Sequence, residues 1–274
     1  MSIFDNLHLA VRTRNVNDGG TSSGFNLTVN VDATDILDQN FSVDLDQGEA
    51  ALLGGPFPET LDSNLLTNTS ARLGIRGDDA WAPQDVLLFG LAFERNELAA
   101  LAMETDLSDA GLLSTDDREG KLTMPIRLVS RGSSSTLIRR VLLLVDTIWQ
   151  SWTDTGTDSP IELEISAGGN LVLLQEIIDT PQPDLEAGKS NWYPMDAAVP
   201  FTRADVLANG EITLRIKGDD AWKPMRLFIF GLDTATGRPN EVVSLVSIPV
   251  WPHGWMSTDT KEGKPSVKLD VVSI

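Results

Sequence analysis

Residues 73–91 read LGIRGDDAWAPQDVLLFGL, and residues 214–232 read LRIKGDDAWKPMRLFIFGL. The two align without a gap at an offset of 141. Downstream, LSTDDREGK begins at Leu113 and MSTDTKEGK at Met256, an offset of 143. Upstream, GGTSSGFNLTV begins at Gly19 and TGTDSPIELEI at Thr155, an offset of 136. Three matched blocks in one order predict a duplicated domain, and the period is far too long for a solenoid repeat or a propeller blade. The polar stretch RGSSS (131–135) reads as a linker. The expectation is one domain over residues 1–131 and a second over residues 136–274.

Inside each half the hydrophobic period is two. Phe25, Leu27, Val29 and Val31 alternate with Asn26, Thr28 and Asn30; Ile161, Leu163 and Ile165 alternate with Glu162 and Glu164. Ile212, Leu214 and Ile216, and again Val267, Leu269 and Val271, repeat the pattern. Each reads as a strand with one buried face. Residues 86–93, 141–145 and 226–232 are more continuously apolar and suit central strands. Only residues 94–103 suggest a short helix. The fold expected is all-β, two tandem antiparallel β-sandwich domains.

The chain has 274 residues and a formal net charge of −19. The charge divides into −12 before residue 136 and −7 from there on, so it is not a detachable tail. A field of this sign repels nucleic acid and bare anionic membrane unless a cation bridges. There is no cysteine, hence no disulfide, no thiolate metal site and no cysteine nucleophile. The N-terminal residues lack a basic start followed by an apolar core, and no apolar run has the roughly 18 residues of a membrane span. The expectation is a cytoplasmic or non-classically exported protein without a transmembrane segment.

Each half resembles a PLAT (lipoxygenase homology, LH2) domain, a β-sandwich shared with modules of some lipases and bacterial phospholipases. The second half carries TDTGTDSPIELEI (153–165), then GDDAW leading into a strand, then WPHGWMSTDTKEGK (251–264). The first half has GGTSS, GDDAW and LLSTDDREGK at matching places. The resemblance covers nearly the whole chain, with two departures: Ser22 stands where the second half has Asp158, and Leu112 where it has Trp255. It implies calcium at the loop end of the sandwich, held by Gly156, Asp158, Asp219 and Ala221 in the second half. In the first half the matching positions are Gly20, Thr21, Asp78 and Ala80. Calcium takes six to eight oxygen ligands from carboxylates, carbonyls and water, which such loops offer. The plainer reading is that the GDD aspartates support a turn through their own backbone.

Six of the seven tryptophans lie in the second half. Trp81 and Trp222 hold equivalent repeat positions and read as packing residues, as do Trp251 and Trp255. Trp149 and Trp152 have no counterpart in the first half and are candidates for contact with lipid or partner, or for a contact between domains. Trp192 and Tyr193, in a stretch read as a loop, would extend the same surface. Indole suits a boundary with one apolar and one wet side.

Catalysis has little support. His8 reads as solvated on a strand and His253 as a loop residue. No Gly-x-Ser-x-Gly elbow, His-Glu-x-x-His or phosphate-binding glycine loop occurs. The leading expectation is a non-enzymatic, calcium-assisted binding module for a lipid surface or protein partner. Its alternatives are a toxin-associated or structural interaction protein without metal dependence, and an enzyme with a cleft between two sandwiches.

Overall fold

The period-2 stretches form antiparallel strands in the computed structural model, which describes residues 3–31, 34–62, 69–95, 97–151, 154–177 and 185–272. The chain divides into two compact units, Met1–Ser130 and Arg131–Ile274. The first contains β1 (Ile3–Thr13), β2 (Phe25–Val31), β3 (Thr34–Phe41), β4 (Ala50–Asp62), β5 (Thr69–Ile75), β6 (Pro83–Ala92), β7 (Glu97–Glu104) and β8 (Thr123–Ile126). They pair in the orders β7-β6-β1-β4 and β3-β2-β5-β8. A two-residue strand, β9 (Ser130–Arg131), marks the boundary.

The second unit contains β10 (Ile138–Thr147), β11 (Ile161–Ala167), β12 (Asn170–Ile177), β13 (Ser190–Phe201), α1 (Arg203–Asn209), β14 (Glu211–Ile216), β15 (Pro224–Asp233), β16 (Glu241–Ile248) and β17 (Ser266–Leu269). Its orders are β16-β15-β10-β13 and β12-β11-β14-β17. Strand for strand the two units have the same pairing order. The protein is all-β, as the alternation requires.

In each unit the alternating residues meet in one core. Phe25, Leu27 and Val29 of β2 and Leu73 and Ile75 of β5 share a buried cluster with Leu9, Val11, Val86 and Leu88. Ile161, Leu163 and Ile165, with Ile212, Leu214 and Ile216, do the same with Val141, Leu143, Leu227 and Ile229. Burying such a side chain contributes about 1.5–3 kcal/mol, so these clusters dominate the stability of each unit.

The continuously apolar strands are central, and both of their faces are buried. On β6 and β1, Leu87, Phe89, Leu91 and Ala10 are almost unexposed yet lie outside the sandwich core. Leu142, Leu144, Phe228 and Phe230 repeat this on β10 and β15. His8 belongs to this second face: it is buried and stacks on Phe89 at 5.1 Å, so the expectation of a solvated histidine is corrected.

Two further expectations change. Residues 94–103 do not form a helix: Phe93–Arg95 makes one 3-10 turn, and Glu97–Glu104 is strand β7. Pairing with β6 and burial of both faces override the helix preference of Ala, Leu, Met and Glu. The Ser-Asn-Trp-Tyr stretch is not a loop but the start of β13. Trp192 is buried opposite Leu144, and Tyr193 packs against the core. The one α-helix among the described residues, α1, is set by a capping box. The Thr202 hydroxyl accepts from Asp205 N–H, and the Asp205 carboxylate accepts from Thr202 N–H.

Candidate functional site

In each unit the three matched sequence blocks converge at one end. In the first, Trp81 exchanges two backbone hydrogen bonds of 2.8 Å with Leu113, and the Thr115 hydroxyl donates to Gly77 O at 2.8 Å. Ser22 donates to Asp79 Oδ2 through its N–H at 2.8 Å and its hydroxyl at 3.2 Å. In the second, Trp222 exchanges hydrogen bonds with Met256, Thr258 donates to Gly218 O at 2.7 Å, and Asp158 N–H donates to Asp220 Oδ2 at 3.2 Å. The STD-containing loops close on themselves alike: Asp116 N–H donates to Ser114 Oγ at 3.0 Å and Asp259 N–H to Ser257 Oγ at 3.1 Å.

Beneath the loops, the Trp81 indole N–H donates to Thr13 Oγ1 and that of Trp222 to Thr147 Oγ1, each at 2.9 Å. Both rings are fully buried, as expected for packing residues. The next rung holds an ion pair whose signs are reversed between units. Arg12 on β1 pairs with Asp85 on β6, whereas Asp146 on β10 pairs with Arg226 on β15. Burial raises the Asp146 pKa above the ordinary carboxylate value, and Arg226 only partly opposes it.

The loops therefore join through the second aspartate of each GDD, Asp79 or Asp220, which does turn-closing work. Asp78, Asp158 and Asp219 are the carboxylates among the eight positions the resemblance implies. No hydrogen bond or ion pair engages their carboxylates among the described residues, and Asp158 and Asp219 are exposed. Gly156 is buried, and a Cβ there would stand 2.9 Å from Ala187 N, so the close approach requires glycine. Ala80 and Ala221 are half-buried immediately before the tryptophans. In the first unit, Thr21 exchanges both backbone hydrogen bonds with Leu45, and Gly20 lies against the backbone of Leu45 and Asp46. Among the described residues no three Asp, Glu or His side chains converge to hold a metal ion. The arrangement is no three-carboxylate cage. The second unit has two of the implied carboxylates, Asp158 and Asp219, and the first, with Ser22 in place of Asp158, has one fewer.

The end of the second unit differs from that of the first in what it exposes. Trp149 and Val250 are each 68% exposed and Met225 is 39% exposed. Trp251 N–H donates to Met225 O, placing Val250 beside Met225. Trp255 is half-exposed, with Lys223 Nζ 5.5 Å from its ring centroid. The first-unit residues corresponding to Trp149, Val250, Met225, Trp255 and Lys223 are Asn15, Asp106, Gln84, Leu112 and Ala82, counted from the matched strands and blocks. Trp152 lies outside the described residues. Trp251 is buried, with its indole N–H donating to Gly254 O at 2.8 Å and the His253 ring edge-on at 5.0 Å. Burial, with help from Lys264, holds the His253 pKa below its ordinary value.

No family model matches the chain, and no curated protein matches it. Among solved structures, the paired C2 domains of extended-synaptotagmin 2 show a likeness at 10% identity. It covers 79% of this chain and 74% of that one at a TM-score of 0.14, too low to carry any argument. Among the described residues no helix is long and apolar enough to cross a membrane.

Proposed function

We propose that the chain is a non-enzymatic binding protein made by duplication of one PLAT-like β-sandwich, and that its second unit docks on a lipid surface through its loop end. The observation that carries this is the replacement of Asn15, Gln84 and Asp106 by exposed Trp149, Met225 and Val250 at the same end of the same fold. Exposed apolar residues beside an indole and a lysine ammonium suit an interface that is apolar on one side and wet on the other. The loop that supplies Trp149 also borders Thr155, whose hydroxyl donates to Ile148 O, so aromatic and acidic loops form one end. Calcium at Asp158 and Asp219 would offset the local negative charge and allow approach to phosphate headgroups.

The test grafts first-unit residues onto the second: W149N, M225Q and V250D, all exposed and outside both cores. Co-sedimentation with phosphatidylserine-containing vesicles, with and without millimolar calcium, is expected to show binding by the native chain and loss of it in the triple variant. Equal sedimentation of both, or none by either, overturns the proposal. A lipid-independent loss of partner capture would instead favour a protein target.

A further inference from the structure

Lys223 is tied to both tryptophans of the second unit's loop end. Its carbonyl accepts from Ile148 N–H at 3.1 Å, the residue immediately before Trp149, and its own N–H donates to Thr155 O at 3.1 Å. Its Nζ stands 5.5 Å from the centroid of the Trp255 ring. Trp149 rests on Gly188, where a Cβ would stand 3.3 Å from the indole Cδ1, so the exposed ring has a fixed base. In the first unit the same backbone bond runs from Arg14 N–H to Ala82 O. That unit therefore has no ammonium at this place, and it has Asn15 and Leu112 where the second has the two indoles. The cation it does have there, Arg14, donates to the carbonyls of Ser108 and Gly111. A lysine thus enters the second unit together with the apolar set.

No carboxylate forms an ion pair with Lys223 among the described residues, whereas Lys217 and Lys268 pair with Glu162 and Glu211. The acids on the flanking loops are turned to backbone: Asp154 Oδ1 accepts from Gly156 N–H at 3.2 Å, and Asp220 accepts from Ala221 N–H at 2.9 Å and Asp158 N–H at 3.2 Å. The Lys223 side chain is half-exposed, and an indole face holds an ammonium only weakly at such a position. An anionic oxygen is the stronger, charge-assisted acceptor. A lysine stem lies along apolar surface while its head stays at the wet boundary. With Trp149, Met225 and Val250 in the apolar side of a bilayer, that boundary is the headgroup level, where the phosphates lie.

We propose that Lys223 is the headgroup-binding residue of this surface: its ammonium leaves the Trp255 ring for a phosphodiester oxygen of a bilayer phospholipid, so that docking proceeds without calcium and calcium only strengthens it. This rests on the lipid-docking reading above and adds to it the group that is recognised.

The experiment uses the full chain and vesicle co-sedimentation in EDTA, with phosphatidylcholine–phosphatidylserine vesicles and with digalactosyldiacylglycerol vesicles, whose headgroup has no phosphate. The native chain is expected to bind the phospholipid about fivefold more tightly than the galactolipid, the contribution of one lysine near an anionic surface. K223M keeps the stem against the indole and removes only the charge; it is expected to lower phospholipid affinity about fivefold and to leave galactolipid affinity unchanged. K223R keeps the charge and is expected to stay within about twofold of the native chain. Unchanged phospholipid affinity in K223M, an equal loss on both lipids, or an absolute need for calcium overturns this inference and leaves the lipid-docking reading standing. No sedimentation with any vesicle, with or without calcium, overturns both.

Discussion

Exchanging the two charges beneath the second unit's loops, D146R with R226D, is expected to be tolerated although either change alone is not. Asp146 and Arg226 are largely buried. Removing one partner of a buried pair leaves an uncompensated charge and costs about 3–5 kcal/mol. The exchanged arrangement exists in the first unit, where Arg12 on β1 reaches Asp85 on β6 at 2.5 Å across the equivalent rung. What the exchange forfeits is the hydrogen bond between Asp146 and Ser190, worth about 1 kcal/mol. The double variant should thus lie within about 1–1.5 kcal/mol of the native chain, with a coupling energy of about 3 kcal/mol or more. Urea unfolding followed by tryptophan fluorescence reports this unit, because six of the seven tryptophans belong to it. A coupling energy under about 0.5 kcal/mol, the scatter expected for independent sites, would refute the equivalence of the two rungs.

Other outcomes follow from the same geometry. T147V should destabilise the second unit by about 1–3 kcal/mol by stranding the buried Trp222 indole N–H, and T13V should do the same to the first through Trp81; urea midpoints measure both. Phe230→Ala and Phe89→Ala should each cost about 3–5 kcal/mol, although neither side chain is in a sandwich core; calorimetric melts check this. G263A should lower the Tm, because its Cβ meets the Trp255 carbonyl oxygen, which belongs to backbone and cannot swing aside. Acid acts on two carboxylates in opposite senses. Asp146 has a raised folded pKa, so its contribution is fully present below 3.8 and is lost as pH rises through the folded value. Asp205, held low by hydrogen bonds from Thr202, contributes above 3.8 and loses that as pH falls through its folded value. The stability gap between native chain and D146N should therefore widen in favour of the native chain as pH falls toward about 4, while the gap to D205N closes below about pH 4. A pH series of urea midpoints that shows both gaps constant would contradict these assignments.

Alternation made the half-solvated strands legible: β2, β11, β14 and β17 bury the residues whose spacing is two. It fails where both faces are buried. The β7 stretch ELAALAME has helix-forming composition and no polar face, so nothing in its pattern marks a strand. The same absence hid the start of β13, where Trp192 faces one side and Tyr193 the other. Helix α1 could have been read from Thr202 and Asp205, three residues apart ahead of Val206, Leu207 and Ala208. At the loops, the repeated GDDAW located the meeting point, but a pair of adjacent aspartates does not say which one turns inward; only the Ser22 and Asp158 N–H positions decide for Asp79 and Asp220.

The central claim is that the two units share one loop-end design and that three exposed substitutions give the second its lipid-binding surface. Moving the surface tests this most directly. Starting from the W149N, M225Q and V250D chain, N15W and Q84M place the indole and the thioether on the first unit; Asp106 is kept, because its φ of 55° lies in the left-handed region that a β-branched valine avoids. Vesicle co-sedimentation should return to at least a substantial fraction of the native level, with a blue shift of tryptophan emission on binding. A chain that carries the transplanted residues, remains folded and still fails to sediment would contradict the account.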